Sequence, residues 1–321
     1  MGRMREEVVN EMSVAKAGEE DSDAGEVVQS AHEELCGTGN RVAQIAGIAK
    51  ESFQLAADRL QFRKEGNLEN AYAQAAQRGR NEMGGRFEGK VAVVAGGTGG
   101  LGRAVSLAFL EEGGKVEVTY VVPEEWEALK EAAGAKRRAL NGHEVDVTDE
   151  KAVNGLMQKI VAEQGRLDVL VNAVGGYAGG VKLWEMETQV FEKMMALNLR
   201  SGYALTRAAA RVMLKQGRGA MVNVASKAAY DHAAGAAAYA ASKAAALAMM
   251  DSLAADLKGS GVRANSILPS IIDTEANRKA MPKADFTKWP KPEEIARVIL
   301  FLCSEDAKVV QGAAVAVYGE S

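Results

Sequence analysis

Cysteine is scarce in this chain. Only Cys36 and Cys303 occur among 321 residues, far apart and neither within a C-x-x-C pair, which excludes the usual thiol redox and thiolate metal motifs. Cys303 ends the apolar run Ile299–Cys303 and reads as a small buried hydrophobe. The three histidines, His32, His143 and His232, show no ligand spacing, so no metal site is expected. No apolar run approaches the roughly 20 residues of a membrane span. The opening "MGRMREEVVNEM" lacks the apolar stretch of a signal peptide, and Glu6 breaks the myristoylation pattern that Met1-Gly2 begins. Basic excess is also missing: the net charge is −4, which argues against nucleic acid as a partner. A reducing cytoplasm is the simplest expected compartment.

What is present divides into two unlike parts. Residues 1–82 hold 10 Lys+Arg and 15 Asp+Glu, a net of −5, which leaves +1 for the remainder. Within the first part "GEEDSDAGE" has the composition of a solvated linker. Val42, Ile45, Ala49, Phe53, Ala56 and Leu60 then recur at spacings of three and four, predicting one amphipathic helix. That stripe suits packing on the main domain, on a partner or on a second copy. "MGGRFEGKVAVVAGG" from Met83 makes a natural domain start, so the upstream sequence is either a functional extension or lies before the true beginning. The expected division is an extension at 1–82 and a catalytic domain at 83–321.

From Lys90 onward six apolar runs read as strands: Lys90–Ala95, Lys115–Val122, Leu167–Val174, Gly219–Ser226, Val262–Pro269 and Ala313–Gly319. Helical stretches separate them. Alternation of continuous apolar strands with helices predicts an α/β fold, a doubly wound parallel sheet of Rossmann type with helices on both faces.

Two features carry chemistry. Between the first strand and the first helix lies "AGGTGGLGRA" (Ala95–Ala104), with glycines at Gly96, Gly100 and Gly102. Glycines let the backbone turn sharply and approach a ligand, and a helix N-terminus behind them favours a pyrophosphate. Far downstream, "AAAYAASKAAALAMM" (Ala236–Met250) is nearly all alanine except for Tyr239 and, one helical turn later, Lys243. Side chains four apart share a helix face. A surface pair that snorkels would be the ordinary explanation for such spacing.

The order and spacing of these segments resemble the short-chain dehydrogenase/reductase family from about Phe87 to Gly319. "DVTD" places Asp146 at the adenine-contacting aspartate, "VNAVGG" places Asn172 at the family's Asn-Asn-Ala-Gly, and "LNL" places Asn198 at its helix asparagine. Ser226 stands thirteen residues before Tyr239, and "LPSIIDT" (Leu268–Thr274) resembles the family's Pro-Gly…Thr segment with Ser270 in place of glycine. The resemblance implies a homodimer or homotetramer, a small-molecule substrate, and a nicotinamide cofactor, NADH or NADPH. It implies cofactor contacts from Gly96, Thr98, Gly99, Gly100, Leu101, Gly102, Tyr120, Asp146, Val147, Asn172, Ala173, Val174, Gly175, Tyr239, Lys243, Pro269, Ile272 and Thr274.

It also implies that Tyr239 exchanges a proton with the substrate oxygen, its acidity raised by the Lys243 ammonium and by the positive charge of the oxidised nicotinamide. Lys243 would hold the ribose hydroxyls, Ser226 would orient the substrate oxygen, Asn198 would fix a water in a proton relay, and Thr274 would contact the carboxamide. At the end of the second strand, an acidic residue would mark NAD and a basic one NADP. Tyr120 and Val121 stand there, and Gly99 fills the turn position where a base would serve NADP. Neither device is visible. The absence of a basic residue leans to NADH.

The substrate has several readings. One is a generic ketone reductase like the 3-oxoacyl-carrier-protein reductases. "VVPEEWEA", "VGGYAGG" and "DTEANRKAMPKADFTKW" resemble the quinonoid dihydropteridine reductase subgroup, although Ser226 and Tyr120 depart from its animal members. On that reading Tyr177, Met281, Phe286 and Trp289 line the substrate pocket, the aromatic rings facing a flat ring. From another class, a catalytically silent NAD(P)-binding regulator would keep the fold without the intact Ser226–Tyr239–Lys243 set. A sugar-nucleotide epimerase would need a larger C-terminal domain.

Overall fold

A computed structural model of the chain describes residues 85–320. The amphipathic stripe Val42–Leu60 and the 82/83 boundary lie outside those residues. The described chain runs β1 (Val91–Ala95), α1 (Gly100–Glu111), β2 (Lys115–Tyr120), α2 (Pro123–Ala133), β3 (Leu140–Glu144), α3 (Glu150–Gln164), β4 (Val169–Asn172), α4 (Thr188–Met195), α5 (Ser201–Gln216), β5 (Gly219–Val224), α6 (Ala237–Asp256), β6 (Val262–Pro269), α7 (Glu275–Ala280), α8 (Pro292–Cys303) and β7 (Ala314–Val317).

The seven strands are all parallel, in the order β3-β2-β1-β4-β5-β6-β7. Chain direction across the sheet reverses between β1 and β4, so the crevice beyond their C-terminal ends is the topological switch point where such sheets bind ligands. Alternate residues of β1 feed two cores. Ala92 and Val94 pack with Leu101, Phe109, Ile295 and Ile299 under α1 and α8. Val91, Val93 and Ala95 pack with Leu156, Leu205, Met213 and Met250 under α3, α5 and α6. Burial on both faces is why these strands read as unbroken apolar runs.

The Val262–Pro269 run is β6 end to end, and the other expected strands are shorter in the structure. The second ends at Tyr120 because Pro123 opens α2, and the fourth is confined to Val169–Asn172. β3 was absent from the six apolar runs. It is an edge strand of sequence LNGHE, in which only Leu140 and His143 are buried, and an edge strand needs no second apolar face. Register lines up Thr119, Ala95, Asn172, Asn223 and Ser266 across the sheet, which brings the strand ends to one level.

Candidate active site

The glycine turn leaves β1 at the switch point. Gly96 has φ +68°, a conformation that strains any residue with a Cβ. Its N–H donates to Thr119 Oγ1 at 3.0 Å, fastening the turn to β2. Ser106 Oγ donates to the Gly97 carbonyl at 3.0 Å from the α1 side. At Gly102 a Cβ would stand 2.0 Å from the Gly96 carbonyl oxygen, so the helix and turn touch only because that side chain is absent. Gly99 precedes α1 with no side-chain cap, and no acidic residue occupies the first turn. The free N–H groups and positive dipole end of α1 therefore face the crevice, a cradle suited to a pyrophosphate. Leu101 is buried in the core, and Thr274 closes the other side: its Cγ2 lies 2.7 Å from where a Gly100 Cβ would be.

Other expected cofactor residues surround that cradle. Asp146 Oδ1 accepts from the Thr148 amide at 2.9 Å and hydroxyl at 2.7 Å, bracing the loop after β3, while the Val147 side chain is core. Asn172 donates to Asn223 Oδ1 at 2.9 Å and accepts from Val174 N at 3.2 Å. It thereby shapes the Ala173–Gly175 backbone after β4. Pro269 ends β6, and Ile272 is half-buried against the core. The Ile272 carbonyl accepts from Thr274 N at 2.8 Å and from Asn277 Nδ2 at 2.8 Å.

The four expected catalytic residues converge from β5, α6 and the α4–α5 junction. Ser226 follows β5 and hydrogen-bonds Tyr239 side chain to side chain. Lys243 does not snorkel. It is 4% exposed, and its Nζ donates to the Val224 carbonyl at 3.0 Å. Burial lowers its pKa from 10.5 to about 8. Asn198 sits in a π-helical turn, Ala196–Arg200, between α4 and α5. Such turns are common at functional sites because the extra residue re-aims a side chain. Asn198 Oδ1 accepts from Gly176 N at 2.9 Å, and Nδ2 donates to the Gly176 carbonyl and to Ser242 Oγ, each at 3.0 Å. Ser242 in turn donates to the Tyr239 carbonyl at 2.7 Å. A Cβ on Gly175 would stand 2.9 Å from Asn198 Oδ1 and 3.0 Å from Lys243 Nζ, so these groups share one small space.

One electrostatic expectation is corrected. The Tyr239 phenol is held above its usual 10, not below it. Burial dominates and Tyr177 adds to it, while the Ser226 hydrogen bond pulls the other way. Lys243 is turned toward Val224 and is itself desolvated, which limits its pull on the phenol.

The expected substrate residues separate. Tyr177 is 69% exposed and meets Tyr239 edge to face, ring centres 5.0 Å apart. Phe286 is half-buried between Arg278, 5.0 Å above its ring, and Trp289, 4.9 Å away. Trp289 is 6% exposed, so its ring is packed and not presented, contrary to the expected aromatic face. Met281 ends α7, with its amide on the Asn277 carbonyl. Sequence reasoning missed Thr119, Ser106 and Ser242, whose hydroxyls signal nothing until the fold brings them to the turn and the helix.

Residues 90–285 match the short chain dehydrogenase family. The chain belongs to that family. As a member it is an NAD(P)-dependent oxidoreductase with a nicotinamide cofactor. It is 35% identical to D-threitol dehydrogenase of Mycolicibacterium smegmatis over 243 residues, 73% of this chain and 93% of that one. It is 33% identical to the 3-oxoacyl-[acyl-carrier-protein] reductase FabG of Thermotoga maritima, covering 73% of this chain and 98% of the relative. Among solved structures, ElxO with NADP bound is 28% identical with a TM-score of 0.68, covering 72% of this chain and 97% of that one. NAD+-bound xylitol dehydrogenase is 25% identical with a TM-score of 0.68, covering 73% and 99%. Among the described residues no helix is long and apolar enough to cross a membrane, and no group of three or more His, Cys, Asp and Glu side chains could hold a metal.

Proposed function

We propose that this dehydrogenase interconverts a small carbonyl, or imine-type, compound and its reduced form, with Tyr239 as proton donor in reduction. The hydrogen-bonded Ser226–Tyr239 pair beneath an exposed Tyr177 carries the reading. When bound, the nicotinamide supplies or accepts the hydride. The glycine cradle and Thr274 would hold it, and Lys243 would reach its ribose. Ser226 would fix the substrate oxygen against the phenol. Tyr239 then passes its proton to that oxygen as negative charge develops there. A phenol at or above pKa 10 remains protonated at neutral pH. It is still far more acidic than the alcohol that its proton completes. Asn198 holds the Gly176 loop and, through Ser242, the backbone of Tyr239, a positioning task.

The short cover α7 and the turn Phe286–Lys288 favour a compact substrate, as do relatives acting on threitol and xylitol. The FabG relatives favour an acyl thioester as the second reading. A panel of small ketoses and diketones, a quinone, a quinonoid dihydropterin and an acetoacetyl thioester, each with NADH and NADPH, separates them. Small ketones should be turned over best. Preference for the thioester would restore the acyl reductase, and preference for the pterin would restore the flat-ring site despite the buried Trp289. Tyr239→Phe should abolish turnover and leave dinucleotide binding nearly unchanged; wild-type rates in that variant would remove Tyr239 from the mechanism.

A further inference from the structure

We infer that Glu125 sets the dinucleotide preference of this chain, selecting a free adenosine ribose over one that carries a 2′-phosphate. The inference rests on the reading of the glycine turn as a dinucleotide cradle. Dinucleotide-binding sheets commonly use an acidic side chain, some 20 residues beyond the glycines, to accept from the ribose hydroxyls. At the end of β2, where it would ordinarily be sought, stand Tyr120 and Val121. The structure supplies a carboxylate from the next element. Glu125, in the first turn of α2, reaches back 27 positions, and Thr98 in the middle of the glycine turn donates its hydroxyl to Glu125 Oε2 at 2.9 Å.

This placement is built. Tyr120 and Trp126 stack nearly parallel, ring centres 5.5 Å apart and planes 6° apart, which ties the start of α2 to the end of β2. Trp126 lies over Gly142 of β3, where a Cβ would come within 2.6 Å of the ring. Lys130 sits 5.4 Å over Trp126 and pairs with Glu127 at 2.8 Å rather than with Glu125. Among the described residues Glu125 makes no ion pair, and Arg103, on the first turn of α1, makes none with it.

The consequence has two parts. A carboxylate at the edge of the turn repels a dianionic phosphate, and it holds the Thr98 hydroxyl, which would otherwise be a phosphate donor. The same carboxylate can accept from a neutral ribose hydroxyl. An acidic residue in the first turn of a helix is also ordinary dipole matching. Glu124, equally exposed in the same turn, is therefore the internal control.

The test is titration of the full chain with NADH and with NADPH, read by nucleotide fluorescence, for wild type, Glu125→Gln, Glu125→Lys and Glu124→Gln. Wild type should bind NADH about tenfold or more tightly than NADPH. Glu125→Gln should bring the ratio near one, chiefly by gaining NADPH affinity, and Glu125→Lys should invert it. Glu124→Gln should leave the ratio as it is. Melting temperatures should move little in Glu125→Gln, because the side chain is exposed and its part in the helix dipole is small. Equal or better NADPH binding by wild type would overturn the assignment, as would an unchanged ratio in Glu125→Gln or an equal change in Glu124→Gln. Binding of neither dinucleotide to wild type would instead overturn the cradle itself, and the inference with it.

Discussion

Lys243 shows how the role proposed for one residue would work against stability. Its ammonium is fully inside the protein with the Val224 carbonyl as partner, and burial lowers its pKa from 10.5 to about 8. A cation whose folded pKa lies below its unfolded value destabilises the fold while it is charged in both states. That penalty is complete below about pH 8 and fades as pH rises from there to 10.5. Its size is roughly 3 kcal/mol, reduced by the hydrogen bond that the lysine makes. Lys243→Met should therefore melt no lower than wild type at neutral pH while losing turnover. Its relative advantage should shrink in melts taken between pH 8 and 10.5. A methionine variant that melts well below wild type at pH 7 would refute this account.

Glu117 is the opposite case. It is fully buried on β2, and burial raises its pKa, but hydrogen bonds from His143, Asn141 and Gln164 with the charge of His143 outweigh that, so the net shift is downward. His143 Nε2 lies 2.7 Å from Oε2. A carboxyl held below 4.5 contributes stability that is complete above that value and is lost as pH falls through the depressed pKa. Glu117→Gln should cost at least about 2 kcal/mol at neutral pH, because donors then face an amide group. It should also flatten the acid limb of the stability profile. Urea midpoints across the acid range would show both effects, and an unchanged acid limb would assign that limb to other carboxylates.

At the scale of elements, the contact between α1 and the turn before it is set by sterics. Gly102→Ala would place a methyl 2.0 Å from the Gly96 carbonyl, whereas Gly99→Ala would meet the same oxygen only at 3.6 Å. The first should lower stability by about 1–3 kcal/mol or more, and the second by a few tenths at most. Thermal melts of the two variants side by side test this, and equal melting would end the close-approach account. These glycines could be read from the sequence because their pattern is local. β3 could not, since an edge strand with Asn141, Gly142 and His143 has neither an apolar run nor alternation. Glu125 was equally hidden: its contact with Thr98 spans 27 residues and depends on the Trp126 stack over Gly142, two steps that no spacing rule encodes. Trp289 is packed, and in sequence an aromatic before a proline looks the same whether it faces ligand or core.

At the scale of the whole molecule, the sheet is covered on both faces by helices from residues 85–320. α1, α2 and α8 close one core, and α3, α5 and α6 close the other. Among the described residues both cores are built from Phe87 onward, and Phe87 itself packs edge-on against Phe109 at 4.6 Å. We therefore expect a protein begun at Met83 to melt within a few degrees of the full chain and to keep its turnover number. Exposed Phe191 on α4 and Tyr203 on α5 flank the Asn198 turn along the chain, and Leu214 is exposed near the far end of α5. They suit a homodimer or homotetramer formed through those helices and α6, since apolar area buried between copies contributes about 25 cal/mol/Å². Sedimentation of the Met83 protein should then give the same oligomer as the full chain. Loss of turnover or a drop to monomer would show instead that the acidic first 82 residues, with their Val42–Leu60 stripe, contribute to the assembly.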